Sequence, residues 1–218
     1  DPWVPTVDEV AQAKAAAAKL SIEQLAGQLI VARHFDNESS LALVRDRHFA
    51  GVMVTGDRIL DITTEDPLAV VTDFNEQVRA VGAERGVPTL IPIDQEGGLV
   101  ARLRAPLTDF PSWMTAGAAV TGNPQAAQII EAAAKASAEE LKVAGFNAAF
   151  APVADVTVGP ADPIIGSRSA GSDPKVVSTA VAAAVRGYGE GGVISSVKHF
   201  PGHNVDTDSH ERLPVLNS

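Results

Sequence analysis

The 218-residue chain contains no cysteine, few aromatic residues and no long apolar run. The lack of cysteine excludes disulfides, thiolate catalysis and cysteine-based zinc sites. No run approaches the roughly 20 apolar residues that a membrane-spanning helix needs, so we expect no transmembrane segment. Basic residues are scattered, and the net charge is −10. Because a nucleic-acid surface requires clustered positive charge, we expect no nucleic-acid partner.

Short apolar runs alternate along the chain with longer amphipathic segments. The apolar runs predict five strands, at 28–32, 51–55, 88–93, 147–152 and 192–197. Residues 28–32 could instead end the preceding helix, but we favour a strand. The segments between them predict helices, of which Pro67–Glu84 has the clearest apolar spacing. Near-continuous apolar strands without hairpin signals indicate a parallel α/β protein. Residues 1–20 form an N-terminal arm and helix in this interpretation, and 21–218 form the body.

Titratable side chains are concentrated at 198–210, a window that holds three of the five histidines. This window directly follows a predicted strand, as the active-site residues of α/β enzymes do. Two earlier strands also end in polar groups, Asp94 after 88–93 and Asp155 after 147–152. We therefore expect one common site. Carboxylate, lysine, arginine and histidine without aromatics suit a small, hydroxyl-rich ligand such as a sugar.

Four motifs in order carry a family resemblance. They are Asp-Gln-Glu-Gly-Gly-Leu-Val-Ala-Arg at 94–102, Ala-Pro-Val-Ala-Asp-Val at 151–156, Ile-Gly-Ser-Arg-Ser at 165–169, and Lys-His-Phe-Pro-Gly-His at 198–203 followed by Asp-Ser-His at 208–210. Together they resemble glycoside hydrolase family 3, and the final Asp-Ser-His is similar to its β-N-acetylhexosaminidase branch. The similarity extends from about residue 21 to the end.

The resemblance implies a (β/α)₈ TIM-type barrel, of which this chain holds about the first five strands. It also implies hydrolysis, with retention, of terminal β-linked N-acetylglucosamine from peptidoglycan-derived fragments, without metal or other cofactor. The expected partner is a small carbohydrate, an N-acetylglucosaminyl muropeptide or a chitooligosaccharide. The chain begins at Asp1 without Met. The compartment is therefore open between the bacterial cytoplasm and, if a leader was removed, the cell envelope or exterior.

The resemblance also assigns roles to individual residues. Asp94, Arg102, Arg168, Lys198 and His199 line the sugar subsite. His210 is the general acid/base, and Asp208 is its partner. An imidazole suits this role because it titrates near neutrality and can protonate a leaving oxygen and later deprotonate water. A carboxylate two residues away can bond the other ring nitrogen and fix the tautomer.

The chain departs from the family pattern in two respects. Four residues separate His203 from Asp208, where the family usually has five and a glycine. A (β/α)₈ barrel also takes about 250 residues, and only five strands are predicted here. The last strands and the nucleophilic aspartate are expected beyond residue 218, so we expect the 218-residue chain alone to be inactive.

Parts of the sequence also fit three other interpretations. His199, His203, Asp206, Asp208 and His210 would be the ligands of a metal enzyme, but Pro201 and Gly202 prevent the helical His pair that this spacing otherwise indicates. The second is a non-catalytic sugar-binding barrel, and the third is a β-glucosidase-type member of the same family.

Overall fold

The computed structural model of the protein describes residues 4–55 and 66–203. The chain divides into two compact units. Unit 1 is Asp1–Ile93 with Val143–Asn147, and unit 2 is Asp94–Lys142 with Ala148–Ser218. Within the described ranges, no helix is both long enough and apolar enough to cross a membrane.

The helices of unit 1 begin at polar residues that bond the free backbone N–H groups of the first turn. Ser21 and Gln24 form the predicted capping box, with the Ser21 side chain accepting from the Gln24 N–H. Val71, Phe74 and Val78 form a buried apolar stripe on the last helix, as their spacing predicts. The helices within the described part of unit 1 are α1 (Val7–Ala17), α2 (Ile22–Gly27), α3 (Asn37–Asp46) and α4 (Pro67–Glu84).

The strands of unit 1 are parallel, as predicted, but only two or three residues long. β1 (Val31–Arg33) pairs with β2 (Gly51–Met53). Gly51 also bridges Leu90 in parallel, shortly before β3 (Pro92–Ile93).

Asn147 continues this strand pairing with its side chain. Its Oδ1 accepts from the Ile91 N–H at 2.8 Å, and its Nδ2 donates to the Thr89 carbonyl at 2.8 Å. Its own backbone N–H donates to the Ile91 carbonyl at 3.2 Å. The amide thus satisfies backbone groups that a neighbouring strand would otherwise pair.

Unit 2 contains the polar strand ends. β6 (Ala148–Ala149) pairs in parallel with β7 (Ile194–Ser195), and Val153 bridges Lys198 in the same sense. The described part of unit 2 also contains the long helices α6 (Ala126–Val143) and α7 (Pro174–Glu190) and the 3₁₀ turns Gly159–Ala161 and Gly166–Arg168.

Small residues allow α6 and α7 to approach closely. A Cβ at Gly187 of α7 would overlap the Glu131 carbonyl oxygen and lie 2.8 Å from the Ala134 Cβ. Ala138, Ala180 and Ala183 are fully buried. The abundance of alanine therefore serves helix packing as well as helix propensity.

Two elements within residues 95–122 were not predicted. β4 (Gln95–Gly97) and β5 (Val100–Ala101) form an antiparallel hairpin, so the expectation of no hairpin is wrong here. The pair Gly97–Gly98 is a hairpin signal, but the flanking strands are too short to show an alternating pattern. Helix α5 (Trp113–Gly122) also lies in this stretch. Its internal glycine and threonines lower its helix propensity.

We predict that Asn147→Ala lowers the free energy of unfolding by about 2 kcal/mol, because it leaves the Ile91 N–H and the Thr89 carbonyl unpaired. Urea unfolding measures the change. Asn37→Ala is the control, since Asn37 makes one exposed side-chain hydrogen bond, to His34. Equal stability of the two variants would contradict a strand-like role for the Asn147 amide.

Candidate active site

Gln95 organises the hairpin that leads into the site. Its Oε1 accepts from the N–H groups of Arg102 and Leu103 at 2.8 and 3.1 Å, and its Nε2 donates to the Leu103 carbonyl at 2.7 Å. The buried Tyr188 hydroxyl donates to the Gln95 carbonyl at 3.2 Å. Burial raises the pKa of Tyr188 to about 12, so this hydroxyl keeps its proton. Arg102 is thereby placed with its Nη2 3.7 Å from Asp94 Oδ2.

A glycine at position 97 is required by close backbone approach. Gly97 has φ +91°, and a Cβ there would lie 2.6 Å from the Pro111 carbonyl oxygen. A side chain would therefore clash in a conformation that is already unfavourable for it. Gly97 lets the hairpin turn directly after Glu96.

Glu96 is the centre of an ionic network. Its side chain is fully buried, with 0% exposure. Arg168 binds it through two parallel bonds, Nε to Oε2 at 2.8 Å and Nη2 to Oε1 at 2.9 Å. Lys198 Nζ lies 2.5 Å from Glu96 Oε1 and donates to Asp94 Oδ1 at 2.7 Å. Lys198 thus links the two carboxylates that flank Gln95.

The pKa of Arg168 is raised mainly by its hydrogen bonds to Glu96, against the opposing effect of burial. The charges of Glu96, Asp94 and Asp155 add to this increase. The guanidinium is therefore held as a permanent cation among three carboxylates.

Asp155 fixes the histidine that follows Lys198. Its Oδ2 lies 2.5 Å from His199 Nδ1, and its Oδ1 accepts from the His203 N–H at 2.9 Å. Its backbone carbonyl accepts from the Ser169 hydroxyl at 2.6 Å. Burial acts to raise the pKa of Asp155, but the hydrogen bond and charge of His199 and the His203 N–H outweigh it and lower that pKa. Asp155 is therefore a carboxylate at neutral pH.

The parallel bridge between Val153 and Lys198 aligns the two strand ends. The Lys198 N–H donates to the Pro152 carbonyl at 3.1 Å, and the Ala154 N–H donates to the Lys198 carbonyl at 2.6 Å. These bonds put Asp155 level with His199. With Asp155 on Nδ1, the His199 Nε2 is left for a ligand.

The Glu96 network contains three of the predicted sugar-subsite residues, Asp94, Arg168 and Lys198, and a fourth, Arg102, lies beside Asp94. The fifth, His199, is paired with Asp155 instead. His210 and Asp208 lie outside the described residues.

The sequence placed Asp155 at a strand end of the expected common site, but neither Asp155 nor Glu96 was assigned a role there, although both lie in the family motifs. Charge balance was the available signal. Arg102, Arg168 and Lys198 are three cations, and Asp94 alone cannot balance them in a half-buried site. Counting the carboxylates of the same motifs would have added these two.

The arrangement offers fixed donors and acceptors to a ligand. Side-chain exposure is 35% for Arg102, 31% for His199, 19% for Arg168, 18% for Asp94 and 16% for Lys198. Each group is therefore anchored and still accessible. Among residues 4–55 and 66–203, no three His, Asp or Glu side chains are grouped as metal ligands.

A cavity of about 160 Å³ is lined in part by Gln95 and Glu96. Its remaining walls come mainly from apolar residues of α5 and α6, including Trp113, Ile129 and Ile130. Glu96 is the only member of the ionic network among its lining residues, and Asp94, Arg102, Arg168 and Lys198 do not line it. The candidate site is the polar cluster.

Comparisons with known proteins agree with the motif order. Residues 21–218 match the family described as "Glycosyl hydrolase family 3 N terminal domain". A beta-hexosaminidase of Stenotrophomonas maltophilia is 39% identical over 142 residues, which is 64% of this chain and 41% of that protein. The beta-hexosaminidase LpqI of Mycobacterium tuberculosis is 31% identical over 210 residues, 95% of this chain and 50% of that protein.

Among solved structures, a glycoside hydrolase family 3 beta-N-acetylglucosaminidase from a Paenibacillus species superposes with a TM-score of 0.74 at 35% identity. The match covers 84% of this chain and 34% of that one. The chain thus spans about half, or less, of the length of these relatives. It belongs to the N-terminal-domain family of glycosyl hydrolase family 3, whose fold is the TIM-type barrel that the resemblance implied.

Proposed function

We propose that the whole protein is a retaining glycoside hydrolase that removes terminal β-linked N-acetylglucosamine from peptidoglycan-derived fragments. One observation carries the proposal. Arg168 and Lys198 both bind the buried Glu96, Lys198 also binds Asp94, and these three side chains remain partly exposed. Family membership and the relatives named beta-hexosaminidase support this substrate class for the cluster.

The cluster suits a sugar because each ring hydroxyl both donates and accepts a hydrogen bond. Asp94 Oδ2 lies 3.7 Å from Arg102, beyond hydrogen-bond distance, and is the acceptor for a sugar hydroxyl. Lys198 and Arg168 are donors, and His199 offers its Nε2. Arg102 covers the Asp94 side of the subsite.

The chemistry is assigned to residues outside this cluster. In the proposal, His210 protonates the leaving oxygen with Asp208 as its partner, and an aspartate beyond residue 218 is the nucleophile. His210 then deprotonates the water that releases the sugar. The substrates are an N-acetylglucosaminyl muropeptide or a chitooligosaccharide.

The proposal is tested by assaying the full-length protein with chromogenic β-N-acetylglucosaminide and β-glucoside substrates. We expect preference for the N-acetylglucosaminide. Preference for the glucoside would favour a β-glucosidase-type enzyme. Sugar binding without turnover of either substrate would favour a non-catalytic sugar-binding protein.

We predict that His210→Ala lowers kcat by 10²- to 10⁴-fold, the usual range for a general acid/base, with a much smaller effect on sugar affinity. Asp94→Ala should weaken both, because Asp94 contacts the sugar in the ground state and the transition state. Steady-state kinetics and competition by N-acetylglucosamine separate the two effects. Similar affinity losses in both variants would contradict the roles.

We predict a pH-dependent stability difference between the wild type and Asp155→Asn. The pKa of Asp155 in the folded protein lies below its ordinary value of 3.8. The carboxylate therefore stabilises the fold above about pH 3.8, and this contribution is lost as pH falls through the folded pKa. Urea unfolding should show a gap of about 1–3 kcal/mol at pH 7 that shrinks below pH 3.8.

Asp109→Asn is the matched control, because Asp109 forms one exposed ion pair, with Arg104. Its effect should stay small at every pH. A gap for Asp155→Asn that does not change between pH 7 and pH 3 would contradict the stabilising role of the charge.

A further inference from the structure

Glu96 cannot touch a ligand in the described structure, because its side chain is fully buried. Both of its oxygens are already occupied. Oε2 accepts from Arg168 Nε, and Oε1 accepts from Arg168 Nη2 and lies 2.5 Å from Lys198 Nζ. Any influence of Glu96 on a sugar therefore acts through Arg168 and Lys198.

The contacts of Glu96 determine which donors those two cations keep for a ligand. Arg168 uses its Nε–H and one Nη2–H on Glu96, which leaves Nη1 and the other Nη2–H pointing away from the carboxylate. Lys198 divides two of its three N–H donors between Glu96 and Asp94. One Lys198 donor remains.

Glu96 also protects the acceptor capacity of Asp94. Lys198 is shared between the two carboxylates, and Arg102 is 3.7 Å from Asp94 Oδ2. Without the Glu96 charge, Asp94 would be the nearest anion to Lys198. The lysine and Arg168 would then compete with the sugar for the Asp94 oxygens.

From this we infer that Glu96 is a positioning residue, which orients Arg168 and Lys198 toward the sugar and keeps Asp94 free to accept from it. The inference rests on the proposed function, since it concerns the same sugar subsite. It assigns a role to a buried residue that contacts the proposed sugar-binding side chains but not the sugar itself.

The test uses Glu96→Gln in the full-length protein, with Glu131→Gln as the matched control. Glu131 also pairs with an arginine, Arg186 at 2.7 Å, but on the exposed surface of α6. Affinity for N-acetylglucosamine should fall about 100-fold in Glu96→Gln, because two partly buried cations lose the anion that orients them. Glu131→Gln should bind like the wild type. Binding by Glu96→Gln within threefold of the control would overturn the inference.

A spectroscopic readout separates positioning from general stability. The Arg168 Nε–H should exchange slowly with water in the sugar-free wild type and in Glu131→Gln, and quickly in Glu96→Gln. Unchanged exchange in Glu96→Gln would overturn the inference. This measurement needs no sugar. If the wild type does not bind N-acetylglucosamine, the proposed function is refuted, but the exchange rate still decides whether Glu96 holds Arg168.

Glu96→Asp provides a second variant if the glutamine variant does not fold. It keeps the charge but is one methylene shorter, so it cannot reach Arg168 and Lys198 together. We expect about a tenfold loss of N-acetylglucosamine affinity. Wild-type affinity in Glu96→Asp would overturn the inference.

Discussion

The buried carboxylate of Glu96 is the constraint on which the candidate site depends. An ionised group without access to water costs several kcal/mol unless cations and hydrogen bonds compensate it. Arg168 and Lys198 provide that compensation from distant parts of the sequence, since the Arg168 contact spans 72 residues and the Lys198–Asp94 contact spans 104. The 3₁₀ turn at Gly166–Arg168 and the strand end at Lys198 must therefore meet the hairpin. The need to neutralise one carboxylate thus brings Asp94, Arg168 and Lys198 together.

Asp155 applies the same principle to the other side of the site. It bonds His199 and the His203 backbone, and the Ser169 hydroxyl bonds its carbonyl. Ser169 is next to Arg168, so the two networks share a loop. Because the charges of Asp94 and Asp155 both act on Arg168, the loss of one charged group leaves the others unbalanced. Such networks respond to mutation as units rather than as sums of pairs.

The sequence predicted the parallel strands, the main helices and the strand-end location of Lys198 and His199, because these depend on local apolar spacing and motif order. Residues whose roles depend on three-dimensional partners were harder to predict. Asn147 reads as the first residue of a strand, yet its side chain pairs with Thr89 and Ile91. Glu96 follows Asp94 by two residues in one motif, and only the contacts show that it is the buried member. Burial and long-range pairing are not encoded in local periodicity.

The charge balance of the site bears on the kind of ligand it accepts. Asp94, Glu96 and Asp155 carry three negative charges, and Arg102, Arg168 and Lys198 carry three positive ones. These six charges sum to zero, although the chain carries −10. The cations would attract an anionic ligand such as phosphate, but Asp94 would repel it. A neutral sugar gains hydrogen bonds from both kinds of group, because its hydroxyls donate to the carboxylate and accept from the cations. The balance that the buried carboxylates impose therefore favours a polyhydroxyl ligand over a charged one.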